Sequence, residues 1–395
     1  MILANARLPE RGRADVEVAD GVIRAICAPG QAPQDAERID LGGLLLLPAF
    51  VDGHIHLDKT HWGAPRLPHV EGRSVRERIA AERVARHKVG LPVEARASAL
   101  IRQLIVSGTT RARSHVDIDS DVGLSGLEAI LKVRETYRDW IDIQIVAFPQ
   151  SGVVAESGAA ELLAEALKAG ADLVGGLDPA GFDGDSKDQL DIVFSLAEKF
   201  GKGVDIHLHD PAEQGAAELR DIAERTLAAG MQGRVAVSHA FALGAVAPKL
   251  LGETADRLAR AGVAIMTSCP PSAPVPPVRA LRERGVVVFA GSDNIRDCWS
   301  PFGNGDMLDR AAVIAARHEM FTDRKLEEAF GLATCEADKA LGDPRRGLRV
   351  GAVADLVALD TASVPDAVVD RPPRALVFRE GRLAAEGGAV SRAVP

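Results

Sequence analysis

The sequence predicts an α/β protein: a (β/α)₈ barrel beside a small β-sandwich made from the two ends of the chain. Three observations predict it. Apolar, strand-like runs alternate with helical stretches through the middle of the chain, which argues for a parallel sheet wrapped by helices. Eight such runs can be counted, the number a closed barrel needs. Both ends share a texture of short strands and turns too small to form a core alone.

The eight runs are residues 44–56, 109–117, 141–150, 171–178, 204–210, 235–240, 263–268 and 286–293. Between them lie stretches rich in Ala, Leu, Glu and Arg at helical period, such as 158–169 and 216–229. At the N-terminal end, 14–18 and 21–26 read as a hairpin around Ala19-Asp20-Gly21. At the C-terminal end, 354–359 and 375–378 read as strands, with a turn at Arg379-Glu380-Gly381. The expected division is therefore a barrel over 48–344, with 1–47 and 345–395 joined in space as the small β-domain. A doubly wound open sheet would carry a Gly-rich phosphate loop after its first strand; His54-Ile55-His56 stands there instead. No internal repeat at solenoid periods is visible. The proline-rich stretch 270–277 reads as a stiff loop on the active face.

Composition narrows the function. At 395 residues and 47% hydrophobic, the chain can bury a large core. A formal net charge of −9 leaves no basic face for nucleic acid. The densest basic stretch, Arg73, Arg76, Arg78, Arg83 and Arg86, is interleaved with Glu71, Glu77 and Glu82 and reads as a salt-bridged helix face. The four cysteines form no C-x-x-C pair. Met1 is followed by no basic and apolar leader, and no apolar run reaches the roughly 20 residues of a membrane span. The expectation is a cytoplasmic chain with no membrane partner.

The chemistry sits at the C-terminal ends of the apolar runs, the face where barrel enzymes catalyse. His54 and His56 are two apart, so their rings share one side of a strand and can meet on one metal ion. Asp205, His207 and His209 repeat that alternation, facing away from Val204, Ile206 and Leu208. A charged group inside an apolar strand is costly unless it is paired or serves a site. His239 closes the sixth run and Asp293 the eighth. Singly, such residues are more often structural or capping. Together they point to a metal site.

Several strings carry a family resemblance that spans essentially the whole chain. They are Pro48-Ala49-Phe50-Val51-Asp52-Gly53-His54-Ile55-His56-Leu57-Asp58-Lys59, Phe148-Pro149-Gln150-Ser151-Gly152, and Ser292-Asp293-Asn294-Ile295-Arg296-Asp297 with Trp299. They resemble the cytosine deaminase branch of the amidohydrolase superfamily, and within it the aminohydrolases of s-triazine breakdown. The resemblance implies one divalent ion, Zn²⁺ or Fe²⁺, on His54, His56, His207 and Asp293. It implies that His239 hydrogen-bonds the metal's water. Two-metal members carry a bridging carbamylated lysine after the fourth strand; Gly175-Gly176-Leu177-Asp178 has none. Two departures from cytosine deaminase stand out: Asp210 where that enzyme has a glutamate, and Asn294 where it has a second aspartate.

The expected reaction is attack of metal-activated water on a ring carbon bearing an exocyclic amine, with a small heterocycle as substrate. His239 and Asp293 would orient the water. His209, with Lys59 or Asp210, would protonate the ring and the leaving amine. Gln150 would read the ring edge, Trp299 would pack on its face, and Asn294 and Lys59 would line the pocket. The competing readings are a cyclic amide hydrolase of the same superfamily and a non-catalytic scaffold that has lost its metal. A homo-oligomer is the expected assembly.

Overall fold

The structure is a computed structural model that describes every residue of the chain except Gln34, Val70, Glu71, Arg73 and Asp343. Glu71 and Arg73 of the basic stretch thus lie outside the described residues.

Eight parallel strands follow one another in chain order. They are β1 (Phe50–Ile55), β2 (Thr109–Asp117), β3 (Asp142–Phe148), β4 (Leu173–Leu177), β5 (Gly203–Leu208), β6 (Val235–His239), β7 (Ala264–Thr267) and β8 (Val288–Ala290). The seam between β8 and β1 is bridged just past the strands. There the Asp293 amide donates to the His54 carbonyl at 2.7 Å. Two of the residues singled out in the sequence therefore sit where the barrel meets itself.

Helices cover the outside because their apolar stripes face the strands. Helix Val93–Val106 buries Ala97, Leu100, Ile101, Leu104 and Ile105, the spacing of one helical face. Helix Ser186–Phe200 starts on the Asp185 side-chain cap and stops at Gly201, whose φ of 66° is left-handed.

The first predicted run requires correction. Residues 44–56 are two strands, not one: Leu45–Pro48 pairs antiparallel with Leu356–Leu359, and only Phe50 onward joins the barrel. Pro48 has no N–H to continue a ladder, so pairing changes sheets there. Both halves are buried, which is why the apolar pattern ran through unbroken. Leu45–Pro48 thereby ties the two chain ends into one nine-stranded sheet. Its core includes Leu3, Val16, Ile23, Leu46, Leu356 and Phe378. Its hairpins turn at Asp20-Gly21 (φ 52° and 76°) and at Glu380-Gly381 (φ 51° and 78°), the two positive φ values of a type I′ turn.

The barrel interior is polar in layers. Arg111 pairs with Asp338 at the base, at 2.9 Å. Above it, Arg113 from β2 reaches across to Asp205 on β5 at 2.8 Å. Above that lie the imidazoles of His54, His115 and His207. Arg111, Arg113, His115 and Asp117 are alternate residues of β2, so the strand's period of two sends all four inward.

Candidate active site

A cavity of about 600 Å³ opens at the C-terminal mouth of the barrel, and it is lined by residues from every side of that face. His54 lies wholly buried beneath it, and His56, His207, His209, His239 and Asp293 form its floor. The Nε2 atoms of His54 and His56 are 3.3 Å apart. Asp293 Oδ1 lies 3.6 Å from the first and 3.5 Å from the second. His54 also belongs to a second cluster, with His115 and His207; within each trio the nitrogen or oxygen donors lie within 4.8 Å of one another.

The backbone brings these groups together by close approach. Gly291 leaves no room for a side chain, since a Cβ there would lie 2.5 Å from His54 Cβ. Asp52 then clamps the seam. Its Oδ1 accepts the amides of Ser292 at 2.9 Å and His54 at 3.3 Å.

A buried chain of hydrogen bonds sets the His54 tautomer. Asp205 is a carboxylate held by Arg113, so it can only accept, and the Ser238 hydroxyl donates to it at 2.8 Å. That hydroxyl must in turn accept from His54 Nδ1–H, also at 2.8 Å. The lone pair of His54 is left on Nε2, facing His56 and Asp293.

Electrostatics favour neutral rings. Burial, then neighbouring imidazoles, push His54 and His207 well below the ordinary histidine pKa. Burial does the same for His115, and takes His239 down to about 3. Burial works to raise Asp293, but the imidazoles around it hold the carboxyl well below its usual range. Both ring nitrogens of His207 and Nδ1 of His56 are buried with no hydrogen-bond partner among the described residues. Buried polar atoms are rarely left so. Neutral imidazoles with unclaimed lone pairs beside an ionised carboxylate are a donor set that fits a divalent cation.

His209 differs from the other rings. Its Nδ1 faces Asp178 Oδ2 at 3.0 Å, and its ring stacks on His239 with centroids 4.6 Å apart. Burial would lower its pKa, but the Asp178 carboxylate raises it above the usual value.

The opposite wall is charged. Lys59 Nζ lies 3.1 Å from Asp117 and 3.4 Å from Glu82. Burial would discharge the ammonium, yet Asp117, Glu82 and Asp58 more than compensate and raise its pKa. Gln150 and Trp299 line the same wall, and the Asn294 amide donates to Asp297 at 2.7 Å. Asp210 is not among the cavity-lining residues. It turns back to accept the Gly181 amide at 2.9 Å and lies against Glu218.

Sequence reasoning missed His115, Asp117, Asp178, the Ser238–Asp205 pair as orienter of His54, and Glu82. The first two were legible in the period of two along β2. Asp178 closes an apolar run, the same signal that marked His239 and Asp293. Glu82 requires a correction, because neither it nor Arg83 and Arg86 pair along their own helix face. In helix Val75–Ala85 Glu82 is 3% exposed and turned into the cavity wall. Arg83, near the end of that helix, pairs with Glu156 at 2.9 Å. Arg86, just past it, pairs with Asp119 at 3.0 Å. Carboxylates from the loops after β2 and β3 outcompete those one helical turn away.

Comparison with known proteins agrees with this architecture. The chain is 35% identical over 352 residues to N-isopropylammelide isopropyl amidohydrolase of Pseudomonas sp. (strain ADP), covering 88% of this chain and 87% of that one. The crystal structure of N-isopropylammelide isopropylaminohydrolase from Burkholderia multivorans ATCC 17616 superposes with a TM-score of 0.95 at 42% identity, over 99% of both chains. That of 5-methylcytosine deaminase from Klebsiella pneumoniae, liganded with 5-fluorocytosine, superposes with a TM-score of 0.85 at 29% identity, over 98% of this chain and 97% of that one. The family model described as "Amidohydrolase family" matches residues 37–384. With strand-end histidines and aspartate on a parallel barrel and that match along most of its length, the chain belongs to the amidohydrolase family.

Proposed function

We propose that this enzyme is a metal-dependent aminohydrolase that cleaves an exocyclic C–N bond on a small nitrogen heterocycle of the pyrimidine or s-triazine kind. The observation that carries the reading is the convergence of His54, His56 and Asp293 within ligand distance of one another beneath a cavity of about 600 Å³. The catalytic body is the barrel of residues 48–344, with 1–47 and 345–395 as the small β-domain.

His54, His56, His207 and Asp293 would hold one divalent ion, zinc or iron, which when bound would make water acidic enough to act as a nucleophile near neutral pH. Asp293 and His239, 3.9 Å apart, are placed to orient the attacking water and to take up its proton. The new C–O bond forms at the ring carbon carrying the amine. His209, kept protonated by Asp178, delivers a proton to the ring nitrogen and, recharged with the proton taken from water, a second to the departing amine as the C–N bond breaks; the hydroxyl proton left on the new C–O group restores His209 as that group becomes a ring carbonyl. Lys59 stays an ammonium among its carboxylates, so it binds the ring and does not shuttle protons. Gln150 and Asn294 read the edge, and Trp299 covers the face. Asp210 supports the His209 side from behind.

The substrate is a free small molecule. No described helix is long and apolar enough to cross a membrane. We assign the enzyme to the cytoplasm as a homo-oligomer, which size-exclusion chromatography with light scattering tests. The activity test is a panel of N-isopropylammelide, cytosine, 5-methylcytosine and pterin with metal-loaded protein, reading ammonia and isopropylamine separately. Release of either amine from a ring is the expected result. Opening of a cyclic amide with no amine released would replace this reading with the cyclic amide hydrolase one.

A further inference from the structure

Glu82 is a buried carboxylate that the mechanism above leaves unused, and three donors converge on its single oxygen Oε2. Trp299 Nε1 lies at 2.7 Å, Gln150 Nε2 at 3.0 Å and Lys59 Nζ at 3.4 Å. A carboxylate accepts only, so the face of the Gln150 amide turned to Glu82 must be its NH₂. The carbonyl Oε1 of Gln150 is then the free end, with no donor to it among the described residues. Lys59 donates one N–H to Glu82 and forms an ion pair with Asp117 at 3.1 Å. An ammonium has three, so one is left for a bound ring.

We infer that Glu82 is the positioning residue that sets the polarity of the ring-binding wall, presenting Lys59 as donor and Gln150 Oε1 as acceptor to a lactam edge, a ring C=O beside a ring N–H. This deepens the proposed function and rests on it for the ring's orientation. An edge with two acceptors, or with its N–H alkylated, leaves Gln150 Oε1 unpaired in a buried wall. Trp299 is held by the same oxygen, so the face and the edge of the ring are registered to one carboxylate. Glu82 comes from helix Val75–Ala85, after β1, while Gln150 follows β3 and Trp299 follows β8. One side chain therefore couples three loops.

The test is a double-mutant cycle read by calorimetric binding of 1,3,5-triazine-2,4,6-trione to metal-loaded protein, with metal content measured on every variant. Glu82→Gln keeps the shape but offers an NH₂ that frees Gln150 to rotate. We expect Glu82→Gln and Gln150→Leu each to weaken binding about 30-fold. The double variant should lose no more than about 100-fold, since both changes remove one unit. A merely structural glutamate gives independent losses, about 1,000-fold together, and that result overturns the inference. So does Glu82→Gln binding within threefold of wild type, or a wild-type protein that does not bind the trione. If Glu82→Gln fails to fold, Glu82→Asp takes its place. It keeps the charge but falls one methylene short, and about tenfold weaker binding with full metal is expected; unchanged binding overturns the role. Binding is scored apart from turnover. A protein that shows the cycle but releases no amine refutes the aminohydrolase reading alone, and one that releases amine with additive losses refutes only the role of Glu82.

Discussion

The two walls of one cavity are similarly buried, yet the rings of one are neutral and the lysine of the other is charged. On the imidazole wall, His54, His207 and His239 face one another, and burial strips their protons. On the facing wall, Lys59 is buried to a similar degree and keeps its proton because Asp117 and Glu82 touch it. Burial alone therefore does not set the charge of a group; the partner it is buried with does. The division suits a hydrolase. Neutral nitrogens offer lone pairs to a cation, and an ammonium offers hydrogen bonds to a ring oxygen.

That comparison can be broken experimentally, because the two walls should fail separately. The largest effect belongs to the imidazole side: His207→Ala should drop metal content below about 0.1 equivalent and kcat/KM by at least about 10³-fold. Full metal retention, by elemental analysis, would mean that His207 is no ligand. His209→Ala should keep its metal yet lose about 10²- to 10³-fold in kcat, since it removes only proton transfer. Unchanged turnover would move that role elsewhere. On the charged wall, Lys59→Met should leave metal intact, raise KM by about 10- to 100-fold, and destabilise the fold by about 3 kcal/mol because Asp117 loses its buried cation. Substrate titration and denaturant melts read the two consequences.

The smallest effect sharpens the rule about partners. Glu218 is buried against Asp210, and burial, then that neighbouring carboxylate, push its pKa up to about 8. A raised pKa means the folded state holds the proton more tightly than the unfolded chain does. Its contribution is complete below the ordinary glutamate pKa and is lost as pH climbs through 8. Glu218→Gln should thus melt about 2 °C above wild type at pH 9 and close to it at pH 4. Equal melting temperatures at pH 9 would show that Glu218 is ionised there without strain.

Much of the fold was legible because its signals are local. The alternation of apolar runs with helical stretches located all eight barrel strands, and Asp20-Gly21 and Glu380-Gly381 marked hairpins by turn chemistry alone. The period of two revealed inward groups on β5. The same period runs through Arg111, Arg113, His115 and Asp117 on β2, but arginines read as surface residues until a partner across the barrel neutralises them. Glu82 carried no signal, for its helical neighbours are arginines that bind elsewhere. The run 44–56 misled for the opposite reason, since hydrophobicity does not say which of two sheets a buried strand joins.

The order of the elements and the chemical types at the strand ends were thus present in the sequence, because period, turn residues and strand termini are set by neighbours within a few positions. Which histidines stand within reach of one another, which carboxylate turns away, and which groups stay charged were decided only when strands distant in the chain closed on each other. A pKa or a tautomer depends on what lies within a few ångströms in space. For His54 that means Ser238 and Asp293, about two hundred residues away in the chain.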